Sequence, residues 1–172
     1  MTTAEICKAV PLSADAQQAV GSAATPKEAL SVFVEKELLT DAIQFIAHAL
    51  PKRQAVWWAT KCVRQTSENP TPEAAAALAA TEKWIAEPTE EHRKAAMEAG
   101  NKAELGTPAG CTGLAAFYSS GMGADPKSEF MTAKATAASV LMAALAGPPE
   151  MIQTHFKDFV TKGIELVNRT SA

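Results

Sequence analysis

Apolar side chains recur along most of the chain at a helical spacing, and no stretch shows the alternation that is typical of strands. The members of one such face, at positions i, i+3, i+4 and i+7, are Ile43, Ile46, Ala47 and Leu50. This period and the positions of proline and glycine predict about eight helices, over residues 25–38, 41–49, 51–65, 71–86, 89–105, 107–118, 127–146 and 149–168. We therefore expect an all-α fold. A compact multi-helix bundle of antiparallel helix pairs is the first choice, and a short α-solenoid is the second.

Three of the predicted helices open on the same dipeptide, Thr-Pro. A threonine side chain caps the free backbone N–H groups of a helix start, and proline suits the first turn because its missing N–H has no partner there. The dipeptide stands at residues 25–26, 71–72 and 107–108, and Glu28 completes a capping box at the first of them. The spacings are unequal, so the dipeptides do not indicate a repeat array.

The first 24 residues are expected to differ from the rest of the chain. Pro11 interrupts them, residues 21–24 (Gly-Ser-Ala-Ala) are typical of a linker, and a short helix fits residues 14–20. We predict an N-terminal arm over residues 1–24, and docking on the body and mobility are both left open. Residues 25–172 are predicted to form a single helical domain.

Two adjacent tryptophans fall on opposite sides of the helix predicted over residues 51–65. Pro51 suits the first position of this helix and favours an extended conformation in the residue before it. At about 100° per residue, Trp58 falls with the apolar side chains and Trp57 falls with the charged ones. Trp57 is therefore either covered by another helix of this chain or exposed as an anchor for a partner.

An exposed Trp57 would be surrounded by cations. Lys61 and Arg64 follow it at i+4 and i+7, so all three side chains can share one surface, and Lys61 can lie over the indole ring. Tryptophan and arginine are enriched at interface hot spots. The partner-binding residues that we expect are Trp57, Trp58, Lys52, Arg53, Lys61 and Arg64.

Composition narrows the class of protein. The chain has 172 residues, of which 47% are hydrophobic, so it can bury a core, and its many alanines favour closely approaching helices. A net charge of −3 argues against nucleic acid as the main partner. The sequence shows no basic leader followed by an apolar run and no apolar stretch of membrane-spanning length. Its three cysteines form no CxxC pair, which suits a reducing compartment. We expect a cytoplasmic protein without a membrane partner, and a homo-oligomer is left open.

The sequence offers little that predicts catalysis. Residues 106–113 are rich in glycine but lack the lysine and the preceding strand of a phosphate loop, so Gly110 and Gly113 are expected to permit close helix packing. Cys111 as a nucleophile would need a histidine base. The three histidines have neither a spacing that links them to Cys111 nor metal-ligand spacing; they are His48, His92 and His155. We expect no catalytic residue, no metal ligand and no cofactor, and hence no enzyme.

Residues 45–59 read Phe-Ile-Ala-His-Ala-Leu-Pro-Lys-Arg-Gln-Ala-Val-Trp-Trp-Ala. Together with Trp84 and residues 106–110 (Gly-Thr-Pro-Ala-Gly), they resemble a bacterial family of uncharacterised helical proteins with an ALPKRxAVWW signature. The resemblance spans roughly residues 25–145 and carries no residue roles with it.

Some members of that family are encoded near type VI secretion genes. The resemblance therefore implies a non-enzymatic accessory factor, an adaptor or chaperone for a type VI secretion effector. Its partner would be a secreted effector or toxin, or a component of the secretion spike. The alternative is an immunity protein that neutralises a cognate toxin.

Overall fold

A computed structural model describes residues 2–21, 23, 25–119 and 130–170. Every regular element in these residues is helical, and the all-α prediction is confirmed. The elements are α1 (Thr3–Ala9), α2 (Ala14–Val20), α3 (Pro26–Glu35), α4 (Leu39–Ala49), α5 (Lys52–Thr66), α6 (Pro72–Ala86), α7 (Glu90–Lys102), α8 (Pro108–Ser119), α9 (Met131–Leu145), a 3₁₀ turn (Pro149–Met151) and α10 (Ile152–Thr170).

The described residues contain ten α-helices, so the prediction of about eight was too low. The two additional helices, α1 and α2, are one or two turns long and lie in the segment that was predicted as an arm. Thr2 and Glu5 form a capping box at the start of α1, and Ser13 caps α2 by accepting a hydrogen bond from the Ala16 N–H. Such short helices need tertiary contacts to persist. The start predicted at residue 127 lies outside the described residues.

The N-terminal helices pack against the body of the protein. Ile6 and Ala16 are fully buried and belong to the main hydrophobic core. The backbone N–H and the hydroxyl of Ser13 both donate to the carboxylate of Asp41, at 2.7 and 2.9 Å. Asp41 lies in the first turn of α4, where the helix dipole also favours its negative charge.

The main core surrounds α4. This helix packs against α1, α3, α9 and α10, and its buried side chains include Phe45, whose ring meets that of Phe33 edge-on with 5.6 Å between centroids. Helix α10 packs on α3 and α4 as well as on α9, so the last helix contacts helices from the first part of the chain. In a solenoid each repeat would contact only its neighbours, so this packing favours a compact bundle.

Helices α7 and α8 approach each other through glycine. A Cβ atom added at Gly113 would overlap the backbone oxygen of Ala96 and lie 3.1 Å from the Cα of Gly100. A Cβ added at Gly110 would overlap the backbone oxygen of Glu104, in the turn after α7, and lie 3.0 Å from that of Gly100 in α7. The prediction that Gly110 and Gly113 permit close helix packing is therefore confirmed, and the glycine-rich segment has a structural explanation.

Candidate protein-binding site

The candidate site is built on α5, which begins immediately after Pro51. Leu50 adopts an extended conformation before this proline, with φ −76° and ψ 145°, and so ends α4. Four cations and no acidic residue lie within α5, so its polar face is uniformly basic. Its apolar face packs against α6, α8, α9 and α10.

Trp58 belongs to the core and not to the surface. Its side chain is 1% exposed, and its indole N–H donates a hydrogen bond to the backbone oxygen of Phe159 at 3.1 Å. Gly163 lets α10 approach, since a Cβ there would lie 3.1 Å from the Trp58 ring and 2.8 Å from a methyl group of Ile46. Trp58, which the sequence placed among the partner-binding residues, thus holds α5 against α10.

Trp57 stands on the outer face of the same helix and is 40% exposed. It is the only aromatic among the exposed large hydrophobic side chains that the structure describes. The ammonium of Lys61 lies 5.8 Å from the centroid of the Trp57 ring, as the i, i+4 spacing predicts. The sequence left two alternatives for Trp57, coverage by another helix or exposure to solvent. In the described residues much of its indole is in contact with solvent, which favours the second.

Two grooves flank Trp57. The first, of about 340 Å³, runs between α5 and α10 and is lined by Trp57, Trp58, Lys61, Lys162, Glu165, Leu166 and Arg169. The second, of about 380 Å³, runs between α5 and α6 and is lined by Trp57, Thr60, Lys61, Glu82, Ile85 and Ala86. Trp57 and Lys61 border both grooves and so form the ridge between them.

The two arginines of α5 are exposed, and both bind groups of α6. Arg53 donates from Nε to the backbone oxygen of Ile85 at 2.7 Å and from a terminal nitrogen to that of Ala86 at 3.1 Å. These carbonyls belong to the last turn of α6, which leaves them without helical partners. Arg64 forms a two-pronged pair with Glu82 at 3.0 and 2.8 Å, which raises the pKa of Arg64 and lowers that of Glu82.

Lys52 lies apart from Trp57. It borders a cleft of about 300 Å³ together with His48, Phe130 and Thr132. His48 donates from Nδ1 to the backbone oxygen of Gln44 at 2.8 Å, and burial lowers its pKa. The Nε2 atom of His48 and the hydroxyl of Thr132 are buried without a hydrogen-bond partner.

The structure thus brings Trp57 and Lys61 together, directs Arg53 and Arg64 to α6, and separates Lys52 from the group. Sequence reasoning missed the contribution of α10 to the site, namely Lys162, Leu166 and Arg169. These residues lie about 100 positions beyond Trp57 along the chain. No local pattern in the sequence indicates that contact, because only the tertiary packing of α10 creates it.

Two of the three cysteines, Cys62 and Cys111, are buried. Cys111 donates from Sγ to the backbone oxygen of Leu105 at 3.1 Å, and burial raises the pKa of its thiol. Burial also raises the pKa of Cys62. Within residues 2–21, 23, 25–119 and 130–170, no three His, Cys, Asp or Glu side chains are grouped so that they could hold a metal ion. In the same residues, no helix is both long and apolar enough to cross a bilayer.

Comparison with known proteins adds one finding. A family model described as a family of unknown function (DUF6931) matches residues 29–167, which include every helix from α4 to α9 and the Trp57 ridge. No curated protein and no solved structure matches the chain.

Proposed function

Since the chain belongs to the DUF6931 family, a family of unknown function, its role has to be inferred from the site. We propose that it is a non-enzymatic protein-binding accessory factor whose contact surface centres on Trp57. The observation that supports this proposal most strongly is the contrast between two adjacent indoles. Trp58 is enclosed and hydrogen-bonded, whereas Trp57 is 40% exposed on a ridge between two grooves.

An exposed tryptophan of this kind suits a binding anchor. A tryptophan side chain buries up to about 250 Å², so about 100 Å² of Trp57 remains to be covered. At about 25 cal/mol per Å², covering it stabilises a complex by roughly 2.5 kcal/mol before ordering costs. Grooves on both sides allow a partner to enclose the indole, and enclosure is what distinguishes hot-spot tryptophans from rim contacts.

Within the class of protein-binding accessory factors, we propose a cytoplasmic adaptor or loading chaperone for a type VI secretion effector. It is supported by the resemblance of residues 45–59, with Trp84 and residues 106–110, to a family of which some members are encoded near type VI secretion genes. The grooves beside Trp57 suit either role, because non-covalent docking on a helical surface is all that an adaptor or chaperone requires. An immunity protein is the competing possibility, and it differs in what binding does to the partner.

The first prediction concerns capture of the partner from the native cell. We expect the tagged wild-type chain to retain a specific protein and Trp57→Ala to lose it at least tenfold, as judged by affinity purification and quantitative mass spectrometry. The matched control is Leu145→Ala, because Leu145 is also an exposed large hydrophobic residue, at 58%, and lines neither groove. Equal capture by wild type and Trp57→Ala, with both variants folded, would contradict the proposal.

The captured partner then separates the adaptor from the immunity role. An adaptor or chaperone is expected to leave the toxic or enzymatic activity of the purified effector unchanged at saturating concentration. An immunity protein would abolish that activity under the same conditions. Inhibition that is lost in Trp57→Ala and kept in Leu145→Ala would replace the adaptor proposal with the immunity one.

A further inference from the structure

Positive charge is concentrated on the face that carries Trp57. Helix α5 has four cations and no acidic residue, whereas the whole chain has a net charge of −3. The rest of the chain therefore carries −3 − 4 = −7. Helix α10, the other wall of the first groove, contributes two cations, Lys162 and Arg169, and one acid, Glu165, to the lining of that groove. The lining of the groove between α5 and α10 thus carries three cations and one acid, so its charge is opposite in sign to that of the whole chain.

Most of these cations are already bound to neighbouring groups. Arg53 and Arg64 bind α6, and Lys162 contacts both the Asp158 carboxylate and the side-chain oxygen of Gln65. Among the described residues, Lys61 and Arg169 form no ion pair within 4 Å. Both border the groove between α5 and α10, where the only carboxylate in the lining is Glu165.

We infer that the groove between α5 and α10 binds an acidic protein segment in which an apolar side chain is flanked by Asp or Glu. This inference rests on the proposed function and states the chemistry of its partner. The apolar side chain packs between Trp57 and Leu166, while the flanking carboxylates meet Lys61 and Arg169. Arginine binds a carboxylate in two-pronged geometry, so Arg169 contributes orientation as well as charge.

Charge disfavours the other occupants of this groove. A symmetric contact with a second copy of the chain would place the same net-positive face against itself and gather Lys61 and Arg169 of both copies in one interface. Such like-charge contacts are unfavourable at an interface. Nucleic acid is disfavoured as well, because it needs a row of cations along its phosphates. Of the cations that line this groove in the described residues, only Lys61 and Arg169 form no ion pair within 4 Å.

Site-specific crosslinking identifies the occupant. A photo-crosslinking amino acid is placed at Glu165 of the full chain in the native cell, and the crosslinked segment is sequenced by mass spectrometry. Removing the Glu165 carboxylate does not weaken binding of an acidic ligand, so the probe is compatible with the proposal. We expect a net acidic segment of another protein. A segment of this same chain, a nucleic acid, a neutral or basic segment, or no crosslink would overturn the inference.

A synthetic peptide with the crosslinked sequence then tests the charge contacts. We expect Lys61→Glu and Arg169→Glu each to raise its Kd at least tenfold in titration calorimetry, and Arg169→Gln to raise it less. The control is Lys27→Glu, an exposed lysine of α3 that borders neither groove. We also expect the Kd to rise between 50 and 300 mM NaCl, because salt screens the attraction between exposed charges. Thermal unfolding establishes that each variant is folded.

Failure of this inference is distinguishable from failure of the proposed function. If Trp57→Ala loses the partner while Lys61→Glu and Arg169→Glu bind the peptide like wild type, the acidic-segment inference is wrong and the Trp57 surface stands. If Trp57→Ala keeps the partner, the proposed function fails, and the inference fails with it.

Discussion

Replacing Gly113 by alanine is expected to destabilise the protein by about 3 kcal/mol or more, a large share of the roughly 5–15 kcal/mol that stabilises a domain of this size. The added Cβ would overlap the backbone oxygen of Ala96 and press on the Cα of Gly100. Both are main-chain atoms of α7, which cannot turn aside as a flexible side chain can. Helices α7 and α8 would have to separate, and the close packing around them would be lost.

Urea denaturation of the variant and the wild type measures this effect directly. The matched control is Gly106→Ala, because nothing lies within 4 Å of a Cβ added at Gly106. That variant is expected to remain within about 0.5 kcal/mol of wild type, or to gain slightly through the smaller entropy of its unfolded chain. Equal stability of Gly113→Ala and Gly106→Ala would mean that α7 and α8 do not approach as closely as described.

Replacing Trp58 by alanine is expected to lower the free energy of unfolding by about 3–5 kcal/mol. The change removes the largest fully buried side chain in the described residues and the hydrogen bond from its indole to Phe159. It leaves a cavity between α5 and α10, which form the two walls of the first groove. Urea denaturation monitored by circular dichroism gives the size of the loss.

The matched control for Trp58→Ala is the same substitution at the next residue. Trp57→Ala is expected to cost at least about 1 kcal/mol less than Trp58→Ala, because its side chain is 40% exposed and makes no hydrogen bond to the core. The two variants change the same amount of side chain on the same helix, so only their environments differ. A similar loss in the free energy of unfolding of both variants would show that Trp57 is a packing residue and would contradict the binding surface proposed for it.

The helix starts were the most predictable part of the fold. Thr25 and Glu28 form the capping box that their spacing predicts, and Thr71 caps α6 by accepting a hydrogen bond from the Ala74 N–H. The same kind of local chemistry begins α1 at Thr2 and Glu5, yet that helix was missed. Pro11 and the glycine after α2 indicated a break in the chain, which favoured an arm over a helix. These short helices are sustained by burial of side chains such as Ile6 in the main core, which no local pattern indicates.

The candidate site was predictable only in the part that a single helix determines. The separation of Trp57 from Trp58 and the contact of Trp57 with Lys61 both follow from 100° per residue, and the structure has both. The roles of Arg53 and Arg64 were not predictable, because their partners come from α6. The second wall of the groove comes from α10, and no property of residues 51–65 indicates which helix packs beside them.

Hydroxyl-radical footprinting of Trp57, in the purified protein and inside the native cell, tests most directly whether the Trp57 surface is free in the isolated chain and covered by a partner. We predict strong oxidation of Trp57 in the purified protein and at least fivefold protection in the cell, with Leu145 labelled equally in both and Trp58 protected in both. Equal oxidation of Trp57 in the two settings would contradict the account.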